Sequence, residues 1–475
     1  MTEQLFIDLI SVYPEILMAI FALVLIVIDV IAGEKSKAGV GYFGVAFIII
    51  AVLLSPSSGS ITGFNNMLVW DNFSYVFFLI FAVAFVLAVL SSFQYFRSKN
   101  MNFGETYILL FFSVLGMLFM VSANDLTIFY VGLETMAIAM YVLAGINKKC
   151  QKSNEAGVKY FLVGAFSSAI FLFGLSYVYG LTGSMNYSEI AAALQADHSS
   201  LGIKFGLLLM FIGFAFKISA VPFHMWAPDV YTGAPTPITA FMTVAPKAAA
   251  FGALIRFVLV AAAPAAEQWT LFFTILAVVT MTYGNLVALV QDNVKRMLAY
   301  SAIAHAGYML IGLVTMTPEG IKAISLYMLI YAFMNIGAFT VISVLKNKSM
   351  IDDERIESFA GLAKKNPLVA FAMLLFMFSL AGIPPLAGFV GKFYIFIAAI
   401  KSELYWLAIV GVLNSALGCY YYLRVTIYMY FKDSEYDTEL NLSSASFVVT
   451  FIAALVVVLG GFFPSYLVNL VNSIM

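Results

Sequence analysis

Phe216-Lys217-Ile218-Ser219-Ala220-Val221-Pro222-Phe223-His224-Met225-Trp226 decides how this chain is read, because it sets a lysine and a proline inside a long apolar run. Pro222 brings no backbone donor and its ring clashes with the preceding turn, so a helix through this segment breaks there. Pro228, Pro235 and Pro237 argue further against a continuous helix through residue 237. The same combination returns in Ala381-Gly382-Ile383-Pro384-Pro385-Leu386-Ala387-Gly388, followed by Phe389-Val390-Gly391-Lys392. Helices broken within a membrane leave backbone polar groups that need protein or a water-lined cavity around them, and transporters place ion sites at such breaks.

The chain around these breaks belongs in lipid. Of 475 residues 63% are hydrophobic and only 10% charged, against about 25% charged in a soluble domain. With 24 basic and 25 acidic residues the net charge is -1, which leaves no basic face for nucleic acid. Fourteen apolar runs are candidate spans: 12–32, 38–55, 73–95, 104–122, 125–146, 157–181, 202–222, 238–262, 268–290, 296–316, 322–345, 367–400, 404–430 and 446–470. Most are long enough for about 30 Å of hydrocarbon, and none alternates like the short strands of a barrel. The expected fold is an all-α polytopic membrane protein in which helices 7 and 12 are broken.

Loop charges orient it. If loops alternate sides, one set holds Lys35, Lys37, Arg97, Lys99, Lys148, Lys149, Lys152, Lys295, Arg296, Lys346, Lys348, Arg355, Lys364, Lys365, Arg424 and Lys432, and the other only Lys204, Lys322 and Lys401. The basic set faces the cytoplasm, which puts both termini outside it. Glu3, Asp8 and Glu15 stand where a signal peptide would be basic, so the first span is expected to be retained. The two breaks divide the chain into a three-helix segment (1–103), two five-helix units (104–262 and 268–430) and a last helix (446–470). Five is odd, so the second unit is inverted relative to the first.

Cys150 and Cys419 are far apart in sequence, and no GxGxxG after a soluble βα unit or GxxxxGK[ST] occurs. Four-cysteine iron–sulfur ligation, nicotinamide or flavin binding of that type and ATP-driven pumping therefore lack support. What remains is charge in apolar surroundings. Lys159, Lys217, Lys247, Arg256 and Lys392 lie in or at the edges of apolar segments, where a cation is costly unless it faces protein, a partner or water, and so marks an ion pathway.

At these residues the chain resembles the antiporter-like membrane subunits of proton-pumping NADH-quinone oxidoreductase, respiratory complex I, in their subunit N branch. The strongest block runs from Pro222-Phe223-His224-Met225-Trp226 through Ala227-Pro228-Asp229-Val230-Tyr231-Thr232-Gly233-Ala234-Pro235-Thr236-Pro237. Lys159-Tyr160-Phe161-Leu162-Val163-Gly164-Ala165-Phe166 and the Ala381–Lys392 segment support it. The resemblance implies that Glu134 and Lys217 form the family's fifth- and seventh-span pair. It likewise matches Lys247, His305 and Lys392 to the eighth-, tenth- and twelfth-span residues, and Lys159 to a further lysine near the sixth. It implies a half-channel in each inverted unit, joined by a hydrated polar axis at mid-membrane depth. With its last span the fourteenth, the chain is expected to lack the lateral helix of the L branch.

Each residue also has a bland reading. Glu134 either tunes Lys217, since an acidic neighbour favours charged lysine and desolvation the neutral form, or makes a static pair. Lys247 carries protons or packs on a carbonyl. Lys392 gates the distal side or caps a helix. His305 passes a proton between its ring nitrogens or is a satisfied core residue. His224 serves an entrance or steadies the break, and His198 is a solvated loop residue. Arg256 is expected to pair or snorkel, and Asp71 and Asp229 to order loops at the membrane edge. The 45 Phe and 26 Tyr are expected mostly to face lipid, pack or sit at the interface.

The expected function is a proton-translocating subunit of a bacterial inner-membrane NADH-quinone oxidoreductase. Its partners are neighbouring antiporter-like and peripheral subunits, membrane lipids, protons and internal water. FMN, iron–sulfur clusters, NADH and quinone are expected elsewhere in the complex. The alternative is a subunit exchanging Na⁺ or K⁺ for H⁺, which similar buried charges and broken helices would serve; a structural subunit that has lost transport is a third reading.

Overall fold

The computed structural model describes residues 8–33, 37–101, 103–196, 200–347, 354–433 and 438–474. Glu3, Lys35, His198 and Lys348 lie outside the described residues. The first helices are α1 (Tyr13–Ala32), α2 (Lys37–Leu54), α3 (Asn72–Ser98), α4 (Gly104–Ser122), α5 (Leu126–Ala144) and α6 (Gln151–Thr182). The first break follows: α7 (Leu201–Lys217) stops, and α8 (Trp226–Gly233) resumes. Between them Ser219 takes a positive φ of 60°. A short helix, Thr236–Met242, leads into α9 (Ala245–Val260), then α10 (Ala266–Leu289), α11 (Val294–Val314) and α12 (Pro318–Val344). The second break separates α13 (Pro367–Ala381) from α14 (Ala387–Lys401), and α15 (Tyr405–Phe431), α16 (Ser444–Phe462) and α17 (Pro464–Ile474) complete the order. Among the described residues twelve helical segments are long and apolar enough to cross a membrane.

Both breaks arise from local chemistry. Pro222 and the Pro384–Pro385 pair interrupt the ladders. Gly382, at φ 85°, ends α13 in the left-handed region that a side chain resists. Small residues then set how closely the helices approach. A Cβ on Gly116 of α4 would lie 2.6 Å from the Gly132 carbonyl oxygen of α5, and one on Gly132 2.7 Å from that of Gly116. α10 and α11 meet the same way, at Gly284 and Gly307. In lipid, such backbone contact replaces the hydrophobic drive that packs soluble helices.

α11 is buried along its whole apolar window, and α12 nearly so, so these two form the centre of the molecule. α1 and α2, by contrast, expose most of their apolar side chains. Short strands tie loops together in two groups. Ile61–Gly63 pairs antiparallel with Leu68–Trp70, and bridges join Leu68 to Ala123 and Asp125 to Asn186. Separately, Leu345–Asn347 pairs with Thr438–Leu440, and Asn293 bridges to Arg355.

Arg256 anchors the first group. Its guanidinium donates to both carboxylate oxygens of Asp71 at 2.8 and 2.9 Å, to Ser74 Oγ at 2.9 Å and to the Val121 carbonyl at 2.8 Å. Asp71 also caps α3 by accepting from the Ser74 amide. Burial pushes the Asp71 carboxyl up, but the Arg256 charge and the hydrogen bonds from Arg256 and Ser74 outweigh it and hold it below the usual range. The clamp is therefore expected at full strength above the unfolded aspartate value of about 3.9, and lost as pH falls through the lower folded value. Breaking a fully buried pair costs about 3–5 kcal/mol; the cost is smaller here, because the Asp71 side chain keeps 23% exposure. Arg256→Met is thus expected to lower the thermal unfolding temperature of the assembled protein more than Asp71→Asn, which retains a capping side chain. Equal unfolding of both variants and the parent would show that the clamp carries no stability.

Candidate functional site

Lys217 is the last residue of α7 and is 8% exposed. Its ammonium lies 5.9 Å from the Tyr141 ring centroid and 5.8 Å from that of Phe216. It faces a cavity of about 10 Å³ shared with Phe129, Leu133, Ser167, Ser168 and Phe171, room for about one water. Glu134 reaches the same place through Ser168, whose hydroxyl donates to its carboxylate at 2.5 Å. Lys217 Nζ makes no hydrogen bond to the described residues. Glu134 and Lys217 are thus held near one cavity without touching.

Lys247 follows Pro246 in the first turn of α9 and is 1% exposed. Its ammonium donates to the Ala302 carbonyl of α11 at 2.7 Å and lies 5.8 Å from the Tyr231 ring. Beside Ala302, the Ser301 hydroxyl meets the Tyr422 hydroxyl at 2.5 Å, and that hydroxyl meets His305 Nε2 at 3.0 Å. The other ring nitrogen, Nδ1, pairs with the Tyr327 hydroxyl. His305 therefore has a hydroxyl on each nitrogen, one from α15 and one from α12. The Tyr327 ring packs against the backbone of Gly391, where a Cβ would sit 2.2 Å from its Cδ2.

The next residue is Lys392, 4% exposed. Its ammonium donates to the Leu380 and Ala381 carbonyls, each at 3.0 Å, and to Ser415 Oγ at 2.9 Å. Those carbonyls end α13, so α14 sends its lysine back to cap the half-helix before it, at the negative end of that helix. The Tyr308 ring lies 4.9 Å from the same ammonium. Tyr308 in turn accepts from Asn285 at 2.9 Å, and Asn285 accepts from Tyr421 at 2.9 Å.

Lys159 stands apart. Its side chain is 43% exposed and pairs with Glu155 at 2.6 Å and Asp229 at 2.9 Å. Asp229 also takes Arg296 at 2.8 Å, so this network joins α6, α8 and α11 at their ends rather than extending the buried row. His224 is buried with its ring edge-on to Tyr283, centroids 4.7 Å apart. Among the described residues no group of three or more His, Cys, Asp or Glu is placed to hold a metal.

Sequence reading named the four buried titrating groups of the row but missed Ser168, Ser301, Ser415, Asn285, Tyr308, Tyr327 and Tyr422, which connect them. The signal was present in part: Tyr421-Tyr422 and Tyr327 lie within apolar runs, where a buried phenol needs a partner.

The family model for the transmembrane part of NADH:quinone oxidoreductase/Mrp antiporter proteins matches residues 123–418, which includes Glu134, Lys217, Lys247, His305 and Lys392. NADH-quinone oxidoreductase subunit N of Trichlorobacter lovleyi is 46% identical over 473 residues, covering 98% of this chain and 97% of that protein. Among solved structures, respiratory complex I from Thermus thermophilus with bound aureothin has a chain 30% identical, with a TM-score of 0.81 over 96% of this chain and 98% of that one. A chain of the Mrp complex from Dietzia superposes with a TM-score of 0.83 over 98% of this chain and 97% of that one. At 20% identity, that likeness shows the fold alone.

Asn285 is 1% exposed and serves two tyrosine hydroxyls at once. Asn285→Leu is expected to cost about 1–3 kcal/mol, because buried hydroxyls lose their partner. The measurement is thermal unfolding of the purified assembly; an unchanged midpoint would mean the hydroxyls find other partners.

Proposed function

Because this chain belongs to the NADH:quinone oxidoreductase/Mrp antiporter family, in its branch of NADH-quinone oxidoreductase subunits N, we propose that its row of buried lysines carries protons across the membrane on behalf of redox chemistry performed by other subunits. The chain is a proton-translocating, multi-pass inner-membrane subunit of a larger enzyme, associated with other membrane and peripheral subunits. FMN, iron–sulfur clusters, NADH and quinone belong to the rest of that complex.

The observation that carries the residue assignment is the linkage of Lys247 to His305 through Ala302, Ser301 and Tyr422, with Tyr327 packed beside Lys392. Glu134, held by Ser168 at the edge of the cavity that Lys217 lines, sets the charge state of that lysine. Protonation of Lys217 disfavours a second ammonium at Lys247, because like charges repel more strongly where water is excluded. The proton displaced from Lys247 crosses internal water to the Ser301 and Tyr422 hydroxyls and so to His305 Nε2, and one leaves from Nδ1 toward Tyr327 and Lys392. Lys392 then releases to the outside. Lys159, in its half-exposed ion-pair network, acts at the cytoplasmic end, where its charge sets the field at Asp229 and Arg296.

We count fourteen spans, adding the broken helices α7–α8 and α13–α14 to the twelve continuous segments. The units are 104–262 and 268–430, inverted in the membrane, flanked by 1–103 and 446–470. Support comes from the lysine that ends the first half-helix of one broken pair and caps that of the other. The two separate groups of strand-tied loops favour alternating loops, with the lysine-rich set in the cytoplasm and both termini in the periplasm.

In the complete enzyme reconstituted in vesicles, Lys217→Ala and Lys392→Ala are expected to lower proton pumping roughly tenfold or more while the complex still assembles, and Tyr422→Phe to slow it by a smaller factor. Normal pumping per electron and normal turnover in both lysine variants would sink the assignment; Na⁺ or K⁺ exchange for H⁺ by the chain freed from redox subunits would give the antiporter reading instead. The cavity at Lys217, about 10 Å³, has room for about one water and none for a quinone headgroup with an isoprenoid tail. A photoreactive quinone is therefore expected to leave the peptides bearing Lys217 and Lys247 unlabelled; labelling there, competed by quinone and lost when the cavity is altered, would refute the division of labour.

A further inference from the structure

At the lysine-rich edge, the loops joining α3 to α4 and α5 to α6 enclose a crevice of about 740 Å³, within the size of small-molecule sites. Its rim carries Lys99, Lys148 and Lys149, with Glu105 the one carboxylate among its lining residues. Lys148 and Lys149 are exposed and make no ion pair among the described residues. The lower wall is apolar: Leu109 on α4, Val142 on α5 and Ile146 just beyond it. Val142 is 50% exposed, so this wall continues onto the outward face of α5. None of these residues belongs to the lysine row.

We propose that this crevice binds one anionic phospholipid of the cytoplasmic leaflet, specifically one whose headgroup carries free hydroxyls, as phosphatidylglycerol does. The phosphodiester sits among the ammoniums, which clustered at a cytoplasmic membrane edge attract anionic lipid by about 1 kcal/mol each. An acyl chain lies along Leu109 and Val142, a wall that a soluble phosphate would leave unused. Glu105 explains the hydroxyls: a lone carboxylate in a phosphate site repels unless the ligand also brings a donor, and the glycerol headgroup does. Lys37 at the neighbouring α1–α2 turn is engaged with Asp29 at 2.9 Å, so the lysines of the rim are not simply the general basic character of this edge.

The test uses the complete complex in nanodiscs containing phosphatidylglycerol with a photoreactive group on its acyl chain. Crosslinks are expected in the peptides holding Leu109 and Val142. They should be competed by unlabelled phosphatidylglycerol but not by phosphatidylcholine or inorganic phosphate. Lys148→Gln with Lys149→Gln should weaken labelling roughly thirtyfold, as loss of two such contacts implies. Lys148→Arg with Lys149→Arg should preserve it, and Glu105→Gln should reduce the preference for phosphatidylglycerol over phosphatidic acid. Equal labelling by phosphatidylcholine, unchanged labelling in the double glutamine variant, competition by inorganic phosphate, or a crosslink from a photoreactive residue at 142 to another subunit would each overturn the proposal. Because proton pumping is not the readout, failure here leaves the lysine row untouched, and failure of the row leaves this site standing.

Discussion

A lysine ammonium inside a membrane protein must be met by fixed dipoles, since neither lipid nor packed side chains solvate it. Everything at the centre of this structure answers that demand. Lys392 is met by the last carbonyls of a half-helix and a serine hydroxyl, Lys247 by a carbonyl of the neighbouring helix, and both by the faces of tyrosines. The broken helices follow from it: a continuous helix keeps its carbonyls to itself, whereas a helix that stops at mid-depth offers them. Lys217 is met least, with aromatic rings and a small cavity but no hydrogen bond from the described residues, and it is the lysine nearest a carboxylate in the row.

The costly residues were the legible ones. A lysine in an apolar run, a proline within a helix and a glutamate in a span are each expensive enough to announce themselves, which is why Glu134, Lys217, Lys247 and Lys392 and both breaks could be found without coordinates. Their connectors could not. Ser301, Tyr327 and Tyr422 are ordinary in their own segments and become a chain only when α11, α12 and α15 pack together, which no local pattern encodes. The expectation that tyrosines mainly face lipid, pack or mark the interface undervalued Tyr308, Tyr327, Tyr421 and Tyr422, all at most 2% exposed. Lys159 shows the complementary difficulty. Hydropathy places it within a long helix but does not say which way it faces, and the structure turns it toward Asp229 with nearly half its side chain accessible.

Satisfied polar groups also explain how so polar a centre remains stable in a chain of this composition. Asn285 holds two tyrosines, Ser301 and His305 share a third, and Arg256 uses four of its five donors on one carboxylate, one hydroxyl and one carbonyl. Around Asn285, His305 and Arg256 these bonds confer rigidity, because moving any one member leaves another unpaired.

The glycine crossings give the molecule an uneven stiffness. Where α4 meets α5 and α10 meets α11, backbone touches backbone, and such pairs behave as welded girders with no compliant side chains between them to yield. The soft joints are then the two interruptions, residues 218–225 and 382–386, where the helical ladder is open on one side. Any bending of the molecule therefore concentrates at those joints, and Lys217 and Lys392 are the lysines that stand beside them.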